Sequence, residues 1–301
     1  MRASVIHLSA ARAALRGLSC LRLPEILVLQ GSPLVGVAFA IPQASAEHAA
    51  PIAILIAANI CLVAHIFLLN DWAGLSTDLS DPNKAASVFT TRGVETREVG
   101  RLTVILLVAS LFLFSRLGAV ALFMALAIAG LSALYSLPGF DWKGKPILNS
   151  MAHLAGGVLH FLLGYGVVSA IDGRTVAIAL FFGLTFAAGH LTQEIRDYQG
   201  DVLNAIKTNA VIFGKRRTFA ASVALFTLAY AVLLLLALER VIPRALAVLV
   251  VLYPVHVRWS LEALRDGLTY AGLQRLQTRY RLLFALIAAA MVGALFISDS
   301  L

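Results

Sequence analysis

Nine apolar stretches run through this sequence, and each has about the length that a helix needs to cross a membrane. The hydrocarbon core of a bilayer is about 30 Å thick, which corresponds to roughly 17 to 25 helical residues. The stretches lie at about 24–45, 50–72, 101–115, 117–136, 148–170, 174–193, 218–237, 242–257 and 281–298. The sequence therefore predicts an all-α, polytopic membrane protein with about nine transmembrane helices.

The third and fourth stretches are the least clearly separated of the nine. Only Arg116 and Gly118 interrupt residues 102–136. A single helix over that length would be about 50 Å long, which is too long for one crossing of the bilayer. We therefore expect two short transmembrane helices in this region.

The composition excludes several other classes of protein. Charged residues make up 13% of the chain and hydrophobic residues 60%, whereas about one quarter of a typical soluble domain is charged. This balance argues against a soluble fold, a disordered chain and a nucleic-acid-binding protein, although the net charge is +8. Cys20 and Cys61 are too few for a disulfide framework and have no metal-ligand spacing.

Lysine and arginine residues sort strongly between the two sides of this nine-span topology. Twenty of the 24 fall on the side of the N-terminus. The other four are Arg116, Arg174, Arg240 and Arg244. Because basic residues collect in cytoplasmic loops, we expect a cytoplasmic N-terminus in the inner membrane of a bacterial cell.

The loops on the basic side are also the long ones, at 73–100, 137–147, 194–217 and 258–280. Long ordered connections carry binding and catalytic groups more often than short ones. We therefore expect an active site that faces the cytoplasm.

The first 23 residues form a separate region in this interpretation. They contain four arginines and no acid, which is typical of a basic tail or of a helix that lies in the membrane interface. A targeting segment is the alternative. The expected membrane domain is residues 24–301.

Acidic and amide side chains cluster where the second stretch ends, in a first acidic segment at residues 70–81. Asn70, Gly74 and Asp78 are spaced i, i+4 and i+8, and Asp71 and Asp81 lie close to the same stripe of a continuing helix. Pro82 then ends the helix. The oxygen atoms of this segment are therefore expected to converge.

A second acidic segment, residues 190–201, follows the sixth stretch. His190, Glu194, Asp197 and Asp201 are spaced i, i+4, i+7 and i+11, which places all four on one helical face. Carboxylates this close repel each other unless a cation lies between them. The sequence therefore predicts a Mg²⁺ site that binds an anionic substrate, because Mg²⁺ takes oxygen ligands and keeps room for phosphate.

Most acids at a membrane boundary only cap helix ends or face water, and two groups have to be distinguished. We interpret Glu95, Glu98, Asp141, Glu262 and Asp266 in that way. The predicted metal ligands are Asn70, Asp71, Asp78, Asp81, Glu194, Asp197 and Asp201. His190 is interpreted either as a polar bridge between helices or as an active group, whereas His65, His153 and His160 are expected to pack or to form hydrogen bonds.

In these motifs the chain resembles the UbiA superfamily of intramembrane prenyltransferases, from about residue 24 to 298. That family has aspartate-rich motifs of the forms NDxxDxxxD and DxxxD, which are similar to residues 70–78 and to the stretch DYQGD at 197–201. The segments LVLQGSPLVG, TTRGVETREVGRL, LYSLPGFDWKGKPILN and AIKTNAVIFGK also resemble family segments in the same order. Lys207, Thr208 and Gly214 are among the matching positions.

Two positions depart from the family pattern. Gly74 stands where the first motif normally has its middle aspartate, and Asn83 or Lys84 stands in place of an arginine. Either Asp71 or Asp81 substitutes for the missing carboxylate, or the site holds metal mainly through Asn70, Asp78 and the diphosphate itself.

The resemblance implies a helical bundle around a central cavity, capped by cytoplasmic loops and open sideways to membrane lipid. It also implies Mg²⁺-dependent transfer of an isoprenyl group from a prenyl diphosphate to a lipophilic, aromatic acceptor of the quinone, tocopherol, haem or chlorophyll precursor type. The expected catalytic residues are Asp71, Asp78, Asp197 and Asp201, and the expected diphosphate-binding residues are Lys84, Arg92, Lys143 and Lys207.

Two other functions remain open at this point. A terpene cyclase of the same family would ionise the diphosphate without an acceptor. An ion-coupled transporter would also contain buried carboxylates, but near the bilayer midplane and beside interrupted helices. The acids of this chain lie at span ends on one side, which favours the enzyme.

Overall fold

The computed structural model describes residues 20–41, 43 and 45–298. The predicted N-terminal tail therefore lies almost wholly outside the described residues. Within the described part the chain is helical and contains no β-strand, which confirms the all-α prediction.

Thirteen α-helices follow one another along the described chain. They are α1 (Leu23–Val28), α2 (Gly31–Ala40), α3 (Ala49–Ala73), α4 (Leu75–Ser80), α5 (Thr96–Ser115), α6 (Ala119–Ser136), α7 (Leu148–Tyr165), α8 (Gly173–Arg196), α9 (Tyr198–Leu203), α10 (Asn209–Phe213), α11 (Lys215–Leu238), α12 (Tyr253–Arg265) and α13 (Tyr270–Ser298). Short 3-10 turns lie at Ala46–His48, Ala85–Ser87, Phe89–Arg92 and Trp142–Gly144, and a longer 3-10 stretch at Arg244–Leu252.

Eight helical segments of the described chain are long and apolar enough to cross a membrane. They are Leu23–Ala40, Ala46–Ala73, Thr96–Ser115, Ala119–Ser136, Gly173–Arg196, Lys215–Leu238, Arg244–Arg265 and Tyr270–Leu295. The predicted span that is missing from these eight is the fifth, 148–170, which corresponds to α7; Asn149, His153 and His160 lower the mean hydropathy of this helix. These polar groups are tolerated because α7 packs against α2, α6 and α8 inside the bundle.

Two helices extend farther than the sequence predicts. Residues 258–280 were expected to be a loop, but α12 and α13 occupy most of this range. Apolar side chains such as Leu276 pack there in a buried cluster, and at the surface Glu262 Oε1 accepts from Arg258 Nε at 3.2 Å and Glu262 Oε2 accepts from Arg279 at 2.8 Å. Apolar length therefore marks where the membrane ends and not where the helix ends.

Glycine residues allow α7 to approach its neighbours at backbone distance. A Cβ atom on Gly157 would lie 2.9 Å from the Cα atom of Gly183 in α8, and one on Gly164 would lie 1.8 Å from the carbonyl oxygen of Pro33 in α2. Small residues at helix contacts are common in membranes, where close van der Waals packing holds helices together. α7 is consequently fixed between α2 and α8.

Hydrogen bonds between side chains add polar contacts inside the bundle. Asn59 donates to the Gln30 side chain at 2.9 Å, and its Oδ1 atom lies 3.1 Å from His160 Nε2. His65 Nδ1 lies 2.9 Å from the carbonyl oxygen of Thr103. These histidines thus have hydrogen-bond partners, as the sequence predicted.

We predict that Gly164→Ala lowers the thermal stability of the detergent-solubilised protein. The added methyl group meets the Pro33 backbone, which cannot rotate away, and such overpacking costs about 1–3 kcal/mol. Melting temperature measured by intrinsic fluorescence checks this. Gly130→Ala in α6 is the matched control, because a Cβ atom there meets nothing within 4 Å. Equal melting temperatures for the two variants would contradict the close approach.

Candidate active site

The first acidic segment lies where α3 passes into α4. Gly74 separates the two helices, yet the hydrogen-bond pattern of a helix continues through it. Its N–H donates to the Asn70 carbonyl oxygen at 2.8 Å, and the Asp78 N–H donates to the Gly74 carbonyl oxygen at 2.9 Å. Asn70, Gly74 and Asp78 therefore stay on one stripe, with no side chain at the middle position.

Asp81 follows α4 and is 2% exposed. Its Oδ1 atom accepts hydrogen bonds from the Asn83 N–H at 2.9 Å and from the Asn83 side chain at 3.3 Å. Its Oδ2 atom lies against α9, where a Cβ atom on Gly200 would come within 2.3 Å of it. Only glycine at position 200 leaves room for this carboxylate.

Asn204 also holds the two acidic segments together. Its side chain accepts from the Ser80 hydroxyl at 3.0 Å and donates to the Thr77 carbonyl oxygen at 3.1 Å. Helix α4 therefore docks directly on α9, although the two lie far apart in the sequence.

Lys84 lies between carboxylates of both acidic segments. Its Nζ atom is 3.0 Å from Asp197 Oδ2, 3.6 Å from Asp78 Oδ1 and 4.0 Å from Asp81 Oδ2. Burial lowers the pKa of this lysine, but the neighbouring charges of Asp197 and Asp78 raise it above its usual value overall. The side chain is thus a positive charge enclosed by three carboxylates.

Asp197 occupies the junction between α8 and α9 and is paired with arginine as well. Arg196 donates to Asp197 Oδ1 at 2.7 Å and to Oδ2 at 3.1 Å, and also to the Gln277 side chain at 2.9 Å. Burial raises the pKa of Asp197, but Arg196 and Lys84 outweigh it and lower the pKa to about 2. This carboxylate is therefore ionised at neutral pH.

The negative charge of Asp201 is less well compensated by basic groups than that of the other acids of the site. The Thr208 hydroxyl donates to its Oδ2 atom at 3.3 Å, and none of the described basic side chains forms an ion pair with it. Burial raises its pKa to about 6; the charge of Lys143 opposes this effect and that of Asp197 adds to it. Asp201 is thus a buried carboxylate that lacks a cation.

Asp71 faces a different partner, since it forms an ion pair with Arg22 just before α1. The Arg22 guanidinium also lies over the ring of Phe67, 5.7 Å from its centroid. Asp71 consequently connects the start of the described chain to the end of α3. Its predicted role as a metal ligand stays a prediction.

Glu194 lies in a buried polar network that we call the Glu194 network, formed with Asn149 and Asn209. Glu194 Oε1 accepts from the Asn149 side chain at 2.6 Å and from the Asn209 side chain at 3.1 Å, and Oε2 accepts from the Ala210 N–H at 3.3 Å. His190 Nε2 is 3.0 Å away, but the angle is too poor for a hydrogen bond. The network ties α8 to α7 and α10.

The other three predicted diphosphate-binding residues differ in how exposed they are. Lys143 is half-buried on the turn Trp142–Gly144, and its carbonyl oxygen accepts from Asn149 at 3.1 Å. Lys207 and Arg92 are both exposed. Lys84 is therefore the predicted diphosphate-binding residue that the structure places against the acids.

Three contributions to the site escaped the sequence analysis. Arg196, Gln277 and the pair Asn149–Asn209 all position acidic side chains. Arg196 stands directly before Asp197 in the motif, so its position in the sequence was an available signal. The two asparagines lie in the segments LYSLPGFDWKGKPILN and AIKTNAVIFGK that resemble family segments, but no helical spacing connects them to Glu194.

The donor set of the site consists of oxygen atoms. Mg²⁺ prefers carboxylate, amide and phosphate oxygens and accepts few protein ligands, so Asn70, Asp78, Asp197 and Asp201 fit this ion. In the described part of the chain no three His, Cys, Asp or Glu side chains converge closely enough to hold a metal alone.

The second half of helix α8 has a partly accessible stripe between buried residues. Phe182, Phe186, Gly189 and Gln193 are partly or fully accessible, whereas most of the residues between them are buried. They are spaced i, i+4, i+7 and i+11, and Asp197 continues the same face. A Cβ atom on Gly189 would meet nothing within 4 Å. Open space therefore adjoins α8 on the side of Asp197.

These features define an all-helical membrane enzyme whose two acidic segments meet at one end of the helices. The sequence profile of the UbiA prenyltransferase family matches residues 32–269. The chain belongs to this family and is a prenyltransferase.

Solved structures share the fold across nearly the whole chain. A UbiA homolog from Archaeoglobus fulgidus bound to DMAPP and Mg²⁺ has a TM-score of 0.73 and 19% identity, with coverage of 95% of this chain and 99% of that one. A digeranylgeranylglyceryl phosphate synthase gives 0.71, 15% identity and coverage of 94% and 99%. The apo UbiA homolog from Aeropyrum pernix K1 has a TM-score of 0.66 and 17% identity, with coverage of 92% of this chain and 98% of that one. No curated protein matches the sequence.

We predict that Asn209→Ala lowers the melting temperature whether or not Mg²⁺ is present. The change removes one donor from Glu194 and the acceptor of the Ile147 N–H, which lies 2.8 Å from Asn209 Oδ1. Leaving such buried groups unpaired costs about 1–3 kcal/mol. The control is Thr278→Ala, which removes only a hydroxyl bonded within its own helix. An unchanged melting temperature for Asn209→Ala would show that the Glu194 network contributes little to stability.

Proposed function

We propose that this protein transfers an isoprenyl group from a prenyl diphosphate to a lipophilic, aromatic acceptor in a Mg²⁺-dependent reaction within the membrane. One observation carries the proposal: carboxylates from both acidic segments lie within 4.0 Å of the same ammonium group, that of Lys84. A site that already concentrates this much negative charge around a cation is suited to bind a metal–diphosphate complex. The family membership and the relatives described with DMAPP or GPP and Mg²⁺ support it.

The metal-binding residues in this proposal come from both acidic segments. Asn70 and Asp78 approach from the α3–α4 side, and Asp197 and Asp201 from the α8–α9 side. Asp71, Asp81 and Glu194 remain in the predicted ligand set, but their contacts with Arg22, Gly200 and the Glu194 network favour a positioning role.

Basic residues bind the diphosphate in this proposal. Lys84 is within reach of the acids, the charge of Lys143 lowers the pKa of Asp201, and Arg92 and Lys207 are exposed. Bound Mg²⁺ would neutralise the charge that develops on the leaving diphosphate when the allylic C–O bond breaks. The lysines stabilise the same charge by direct ion pairing.

The accessible stripe of α8 provides the binding surface for the prenyl tail. Phe186 and Phe182 continue the face of Asp197 away from the acidic segments, so that a head group beside Asp197 places its tail along these rings. Apolar side chains there bury the tail and keep water from the allylic cation. The acceptor binds on the same side, near the carbon atom that leaves the diphosphate.

The orientation proposed for the protein places the acidic segments at the cytoplasmic face of a bacterial inner membrane. This proposal is supported by the sorting of 20 of the 24 basic residues to that side. The ion-coupled transporter is disfavoured, because the acidic segments lie at the ends of α3 and α8 and not near their middles.

The test is diphosphate release by purified protein in nanodiscs, with Mg²⁺ and radiolabelled prenyl diphosphates of several lengths. Acceptor-containing lipid extracts are added, and prenylated products are identified by mass spectrometry. Asp197→Asn and Asp201→Asn keep side-chain size and remove charge. We expect each to lower the rate by roughly 100-fold or more, as losses of transition-state charge stabilisation do.

The matched control for these variants is Asp266→Asn, an exposed acid paired with Arg275 at 3.7 Å on the surface. It should retain the rate of the unchanged protein. Full activity in Asp197→Asn and Asp201→Asn would refute the assigned site. Products that lack an acceptor would identify a terpene cyclase instead.

A further inference from the structure

The ammonium group of Lys84 occupies the place between the two acidic segments where a cation is required. It contacts Asp78, Asp81 and Asp197, and its side chain is only 25% exposed. A divalent ion that bound to the same three carboxylates would have to displace this ammonium group.

The α3–α4 side has few other ligands for a metal ion. Position 74 carries no side chain, although it lies between Asn70 and Asp78 on their stripe, and a Cβ atom there would be 3.9 Å from Asn70 Oδ1. Asp81 is held by Asn83 and by its contact with Gly200. Asp78 is thus the remaining carboxylate on this stripe, and it already faces Lys84.

The α8–α9 side, in contrast, has a carboxylate that is not paired with a described basic side chain. Asp201 is buried and, among the described side chains, has no ion-pair partner. A buried carboxylate without a cation is unfavourable, so this is the place where a metal ion gains most. The charge of the acidic segments is therefore compensated unequally: Lys84 faces Asp78 and, together with Arg196, pairs with Asp197, whereas Asp201 still lacks a cation in the described part of the chain.

We propose that Lys84 is a resident cation that takes the place of one divalent ion, so that the protein binds diphosphate with a single Mg²⁺ on the Asp197–Asp201 side. This inference rests on the proposed function. The lysine holds Asp78 and Asp197 at a fixed separation, and it ion-pairs with the diphosphate when substrate arrives. The carboxylates of the α3–α4 segment then pair with Lys84 and do not bind a second metal ion.

The experiment counts metal ions and is independent of turnover. Mn²⁺ replaces Mg²⁺, inorganic diphosphate serves as the probe, and bound Mn²⁺ is counted by equilibrium dialysis of protein in nanodiscs. Electron paramagnetic resonance reports whether two ions are adjacent, since ions about 3.5–4 Å apart in two-metal sites couple magnetically. The unchanged protein should bind one uncoupled Mn²⁺ per chain.

Substitutions at Lys84 and Gly74 test the exchange of lysine for metal. Lys84→Met frees the carboxylates, so it should raise the number of bound Mn²⁺ ions to two and give a magnetically coupled resonance signal. The double variant with Gly74→Asp supplies a further carboxylate ligand for the second ion. Lys84→Arg keeps the positive charge and should keep the count at one. The matched control is Lys145→Met, an exposed lysine in the 137–147 loop, which should leave the count at one.

The outcomes separate this inference from the proposed function. Two coupled ions in the unchanged protein would overturn the inference while diphosphate release, measured separately, still supports a prenyltransferase site. A count of one in Lys84→Met, in protein whose melting curve shows that it is folded, would also overturn it. If the unchanged protein neither releases diphosphate nor binds Mn²⁺, both the inference about Lys84 and the proposed function are overturned.

Discussion

Carboxylates that are forced together at a membrane boundary need cations, and this requirement shapes the end of the protein where the two acidic segments meet. The docking of α4 on α9 brings these segments into contact through Asp81 and Gly200. Transfer of charges out of water is expensive unless each finds a partner. Arg22, Lys84 and Arg196 satisfy that need for Asp71, Asp78 and Asp197, and Asp201 is left without an ion pair among the described side chains.

The sequence predicted the helical membrane fold, and it pointed to acidic residues at two span ends that the structure brings together. Apolar runs are a direct sign of burial in lipid, and acids at span ends are uncommon. Helical spacing was less informative for Glu194 and Asp197, because Glu194 contacts Asn149 and Asn209 whereas Asp197 pairs with Lys84 and Arg196. Gly74 was visible as a gap in a regular stripe, and the structure keeps that stripe intact.

The parts that sequence reasoning missed depend on contacts between distant segments. The position of Lys84 follows from how α4 docks on α9, and no local pattern encodes that docking. The same holds for Glu194, which matched the predicted ligand pattern but lies in a network with Asn149 and Asn209. Helix ends at α12 and α13 were missed because their buried apolar residues, such as Leu273 and Leu276, alternate with charged residues and so do not form a continuous apolar run.

The stripe on α8 has a geometric consequence for substrate choice. Asp197 and Phe182 are separated by a length of straight helix that corresponds to about 22 Å at 1.5 Å per residue. Under the proposed function, with the diphosphate anchored at Asp197, the distance from Asp197 to each ring along α8 sets how long a prenyl tail can be before it meets that ring.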